Sequence, residues 1–115
     1  MKLSSLILLT LISVSALAQS SPEAKLEYTK EKSASISREI EEKYSRPDLL
    51  ESNVVSELAR NSFAADGYSI NGGTANHCIE FEMRKDDERY ATAYEVLRDG
   101  YAVECLAKNL VPNQK

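Results

Sequence analysis

Along this chain the spacing of apolar residues changes character several times. A short apolar run, Leu6-Ile7-Leu8-Leu9-Thr10-Leu11-Ile12, stands near the start. From Glu23 to Tyr44 apolar positions are sparse: Leu26 is followed by Ile36, Ile40 and Tyr44 at four-residue spacing. That spacing predicts a helix with an apolar stripe only in its second half. Ser21-Pro22-Glu23 is a suitable start, offering a capping hydroxyl, a proline whose missing N–H is harmless in the first turn, and an acid at the positive end of the dipole. The stretch Glu23 to Ser35 is charged on most sides. It reads as a solvated helix held by pairs such as Glu27 with Lys30, or as a frayed arm over residues 19–35.

Arg46-Pro47 ends this helix, because the residue before proline is pushed out of helical geometry. Ser45-Arg46-Pro47-Asp48 resembles a capping box for the next one. There Leu50, Val54 and Leu58 form a stripe, Val55 and Ala59 widen it, Phe63 extends it, and Asp66-Gly67 supplies the stop.

After Gly67 the period shortens. Tyr68 to Asn76 is rich in turn formers and reads as a loop. Ile79, Phe81 and Met83 alternate with Glu80, Glu82 and Arg84, the pattern of a half-buried strand. Lys85-Asp86-Asp87-Glu88-Arg89 reads as a charged turn, Tyr90 to Leu97 as a second strand, and Asp99-Gly100 as a two-residue hairpin before a third strand from Tyr101 to Lys108. The expected fold is therefore α+β: two N-terminal helices followed by a three-stranded antiparallel meander. In that register Ile79, Phe81, Met83, Tyr94, Val96 and Val103 share the inward face, while Glu80, Glu82, Glu95 and Glu104 share the outward one.

The apolar run changes the picture of where the protein works. Lys2 precedes it, and Ala16-Leu17-Ala18 follows with the small-x-small pattern that a signal peptidase accepts. Residues 1–18 thus read as a cleavable leader, with the cut before Gln19, and the run is too short to span a bilayer. Of 115 residues, 97 then remain as residues 19–115, enough for a single domain. Removing Lys2 takes the balance from 14 basic against 18 acidic groups to 13 against 18, a net charge of −5. An acidic excess argues against nucleic acid and anionic membranes as partners and favours a basic protein.

Cys78 and Cys105 are the only cysteines, and in an exported small domain an even count implies a disulfide. The meander register strains this pairing, since it places the two on opposite faces and two strands apart, about 9 to 10 Å. The expectation that reconciles them has Cys78 precede the first strand and curl over the sheet end. His77, the single histidine, adjoins Cys78 and would point away from it in an extended segment, so no Cys–His dyad is expected. One histidine and two cysteines fall short of a zinc set, and no phosphate loop, nucleophile elbow or cofactor motif is present. Neither an enzyme nor a cofactor is expected.

The expected function is that of a small exported protein, periplasmic or secreted, that binds another protein as an inhibitor or immunity-type factor through Glu80, Glu82, Glu95 and Glu104. The alternatives are a small-ligand module with a groove lined by Tyr68, Tyr90, Tyr94 and Tyr101, and an exported effector or adaptor.

Overall fold

Two N-terminal helices form, but the meander does not. The structure, a computed structural model, describes residues 21–84 and 90–113; the leader and the charged turn at 85–89 lie outside the described residues. The chain runs α1 (Pro22–Lys43), a 3-10 turn (Pro47–Leu49), α2 (Ser52–Ala65), β1 (Tyr68–Ser69), α3 (Gly72–Met83), α4 (Ala93–Arg98), α5 (Val103–Asn109) and β2 (Val111–Pro112). The sheet among the described residues is one antiparallel ladder of two residues per strand, with Tyr68 opposite Pro112 and Ser69 opposite Val111. The fold is thus helical, and the α+β expectation is overturned.

Local chemistry explains each helix. Ser21 caps α1, its Oγ accepting from the Ala24 N–H, with Pro22 at the first position. The first half of α1 does pack: Thr29 and Ser33 are buried along with Ile36, Ser37 and Ile40. After the break at Pro47, α2 begins at Ser52 and not within Ser45–Asp48, where the chain makes only a 3-10 turn. Its buried face is Val55, Ser56, Ala59 and Phe63, rotated from the expected stripe, so that Val54 is exposed. Gly67 ends it at φ +93°, a left-handed conformation that glycine adopts without strain.

Past Gly67, segments expected as loop, strands and hairpin belong to helices. Asn71, expected in a loop, caps α3 by accepting from the Thr74 N–H at 3.1 Å. Beyond it Ala75, Cys78 and Ile79 are buried at helical spacing, while Phe81 is exposed, the reverse of the expected inward strand face. Thr92 and Glu95 form a reciprocal capping box that starts α4. Asp99-Gly100 is a helix end: a type I′ hairpin needs positive φ at both residues, whereas Asp99 sits at φ −90° and only Gly100 is positive, at +77°. The Tyr101 N–H reaches back to the Val96 carbonyl and the Gly100 N–H to the Leu97 carbonyl, the two bonds of a Schellman motif.

α1 packs across α4 and α5, and α2 packs on α3. Their shared core holds Ile36, Ile40, Val55, Phe63, Ile79, Val96, Leu97, Leu106 and Leu110. The Cys78–Cys105 disulfide joins α3 to α5 with the Cα atoms 5.7 Å apart. The pairing holds, but two helices bring it about, and no segment curls over a sheet end.

Phe63 is fully buried, so Phe63→Ala is expected to cost about 3–5 kcal/mol of unfolding free energy in urea titration. Replacing both cysteines, as Cys78→Ala with Cys105→Ala, removes a 27-residue loop closure. That double variant should lose about 3–4 kcal/mol with little change in far-UV circular dichroism of the folded state.

Candidate functional site

The disulfide forms part of the floor of an open groove of about 1210 Å³. The N-terminal half of α1, the C-terminal half of α3, the turn at Asp99–Tyr101 and α5 form its walls. Because α3 needs one face for Ala75, Cys78 and Ile79, the residues His77 and Phe81, four apart, fall on the side that faces the groove. Their rings lie 6.3 Å apart, tilted by 34°. The Schellman turn places Tyr101 at another edge. Phe81 is 57 % exposed and Tyr101 52 %, large for aromatic side chains next to a core.

The groove's charges are mixed. Lys25, Lys30 and Lys108 line it together with Glu27, Glu82, Asp99 and Glu104. Lys25 is committed, donating from Nζ to the Leu110 carbonyl at 2.9 Å and so tying α1 to the end of α5. Asp99 is bonded to Arg98 at 2.9 Å.

The residues expected to act together are divided among several places. With no meander there is no common sheet face for the four glutamates. Glu82 and Glu104 both line the groove. Glu80 instead accepts from the Ser52 hydroxyl at 2.8 Å, linking α3 to α2, and Glu95 is spent on the capping box of α4. The four tyrosines do not share a groove either. Tyr68 is buried, its ring 5.0 Å from Tyr28. Tyr94 is buried too: its hydroxyl donates to the Glu41 carboxylate, which together with burial raises its pKa, and Arg98 lies 5.5 Å from its ring centre. Tyr90 is exposed, and only Tyr101 of the four lines the groove.

Chemistry at the groove is restricted by what its groups are doing. Cys78 is oxidised and buried, and His77, its neighbour on α3, is exposed. They are separated by helix geometry and the disulfide, not by an extended backbone. Among the described residues no three His, Cys, Asp or Glu side chains are grouped to hold a metal ion. What the groove does offer is aromatic and aliphatic surface, from Phe81, Tyr101, Leu26 and Val103, ringed by both signs of charge. The i, i+4 pair His77–Phe81 was the signal for this surface in the sequence, hidden by the alternation of Ile79, Phe81 and Met83.

A second cluster ties α1 to the end of α2. Asp66 accepts from the Tyr28 hydroxyl at 2.6 Å and pairs with Lys32 at 2.9 Å, while the Tyr28 ring lies 6.3 Å from Phe63. Burial first, then the Asp66 carboxylate, push the Tyr28 hydroxyl well above its ordinary value. Burial alone would raise Asp66, but the bonds from Tyr28 and Lys32 outweigh it and hold the carboxyl below its ordinary value. The chain matches no family model, no curated protein and no solved structure.

A carboxyl depressed in the folded state adds stability that is present above its unfolded value and lost as pH falls through the folded one. A raised tyrosine adds stability that is present below about pH 10 and lost above it. Asp66→Asn is therefore expected to melt below the unsubstituted protein at pH 7, with the gap closing below about pH 4. A gap of constant size from pH 7 to pH 3 would show that the Tyr28–Asp66–Lys32 cluster carries no such linkage.

Proposed function

We propose that the chain is an exported, non-enzymatic protein-binding domain, of the inhibitor or immunity type, that docks its partner in the aromatic groove above the disulfide. The observation that carries this reading is the pair Phe81 and Tyr101, each more than half exposed in one groove. Leaving large aromatic side chains in water forfeits their burial, and such residues are the ones that anchor partners at interfaces. Glu82 and Glu104, on the groove's lining, keep a place for a basic partner, whose approach they would steer more than they would strengthen.

Export rests on two supports. The leader pattern at residues 1–18 precedes the domain, and the Cys78–Cys105 disulfide is compatible with an oxidising compartment such as a periplasm. Among the described residues no helix is long and apolar enough to cross a membrane. A small-ligand role through the tyrosines has lost its geometric basis, since Tyr68 and Tyr94 are engaged within the core.

The test is capture from the native compartment by the oxidised protein, read by mass spectrometry at low and high salt. The unsubstituted protein should retain a partner that Phe81→Ser and Tyr101→Ser each release by at least tenfold, with Glu80→Gln behaving as unsubstituted. Retention by both aromatic variants, or no retained protein at either salt, would overturn the reading.

A further inference from the structure

We propose that the groove receives a second copy of this chain, so that the protein alone forms a twofold dimer with its α5 helices side by side and antiparallel. The dimer shares the groove with the reading above but not its partner, and it stands or falls separately. The pattern of charge is what favours a second copy. The whole chain carries 14 basic against 18 acidic groups. The groove's lining instead carries three lysines against three glutamates and Asp99, and Arg98 already holds Asp99. The acidic excess therefore lies largely elsewhere. A strongly acidic face repels its own copy, whereas a balanced one can meet itself.

The charges are also placed for a twofold axis. An isologous contact sets one surface against itself, so that if residue i meets j, then j meets i. On α5 the exposed pair Glu104 and Lys108 stands four residues apart, about 6 Å along the helix. Neither makes an ion pair among the described residues. Two α5 helices laid antiparallel, about an axis between these residues, bring Glu104 of each copy opposite Lys108 of the other. Both pairs then close at once. The α1 wall repeats the arrangement with Glu27 and Lys30, one acid and one base, both exposed and without an ion pair among the described residues. The same groove holds Phe81 and Tyr101, each more than half exposed; the second copy covers them and supplies the same two anchors in return. The disulfide holds α5 against α3, so the charged pair and Phe81 meet the second copy at a fixed spacing.

The experiment is sedimentation velocity on the oxidised protein from about 1 μM to about 1 mM, a span that covers weak self-association. The sedimenting mass should rise from one chain to two. Phe81→Ser and Tyr101→Ser should each raise the dissociation constant about tenfold or more, with Glu80→Gln behaving as unsubstituted and far-UV circular dichroism showing that each variant is folded. Glu104→Lys and, separately, Lys108→Glu set like charges against each other, so each should remain a single chain at concentrations where the unsubstituted protein is paired. An equimolar mixture of these two variants should regain the mass of two chains, as should the double variant Glu104→Lys with Lys108→Glu. A single-chain mass throughout, a dimer that neither aromatic variant weakens, or a mixture that pairs no better than its components would overturn the proposal. A single-chain protein that still captures another protein through Phe81 overturns self-docking and leaves the protein-binding reading intact; a dimer that captures nothing does the reverse.

Discussion

Helices of six and seven residues do not hold themselves together in water, because nucleation consumes most of what so few hydrogen bonds return. α4 and α5 exist because other forces pin them. α4 is fixed at both ends by side-chain and backbone caps, and α5 is covalently tied to α3 through Cys78 and Cys105. α1 lies across both, and Leu97, Leu106 and Leu110 are buried in the shared core. The bridge fixes α5 against α3 and so sets two of the walls of one groove. Without it, the wall bearing Phe81 and the wall bearing Tyr101 would be held only by noncovalent contact.

The same bridge explains why aromatic side chains remain at the surface. Cys78 occupies the buried stripe of α3 beside Ala75 and Ile79, and four-residue spacing then places His77 and Phe81 outside that stripe. α5 is directed inward by Val103, Leu106 and Ala107, which leaves Glu104 and Lys108 toward solvent and the groove. Much of the acidic excess is used within the fold: Glu41 receives Tyr94, Glu80 receives Ser52, Glu95 caps α4 and Asp66 anchors α1. Of the four carboxylates that looked like a shared surface in the sequence, Glu80 and Glu95 are internal ties, while Glu82 and Glu104 line the groove.

The legibility of the chain follows the strength of its punctuation. Proline at 22 and 47 and glycine at 67 act locally, so both limits of α1 and the end of α2 are readable from residues alone, whereas α2 starts at Ser52, beyond the Ser45–Asp48 signal. Past Gly67 the signals become degenerate. Ile79, Phe81 and Met83 fit a two-residue period and Ala75, Cys78 and Ile79 fit a helical one, and only packing against α2 decides between them. The Asn71 cap and the Thr92–Glu95 box were present as sequence signals but masked by the turn-rich Gly72-Gly73 and by β-favouring Tyr90 and Tyr94. Asp-Gly is ambiguous in itself, ending helices as readily as it turns hairpins. Of the candidate site, Glu82, Glu104 and Tyr101 share one groove. The His77–Phe81 spacing that marks Phe81 gave way to the strand-like alternation, because its exposure depends on which face of α3 turns inward.

The buried seam of α1 is built from Thr29, Ser33 and Ser37 before it reaches Ile36 and Ile40. Thr29 and Ser37 satisfy their hydroxyls on carbonyls of their own helix, and Ser33 Oγ is buried without a hydrogen-bond partner among the described residues. Small side chains let the helix lie close to its neighbours but remove little apolar surface from water per turn. The cohesion of α1 is therefore uneven along its length: isoleucines grip one end, while Lys25 and the Tyr28–Asp66 contact moor the other from its flanks. Amide hydrogen exchange in this helix should be graded as a result, with the turns around Ser33 opening at lower free energy than those around Ile36 and Ile40. In mechanical terms, the wall of the groove that α1 supplies is clamped by polar ties at one end and by isoleucine packing at the other.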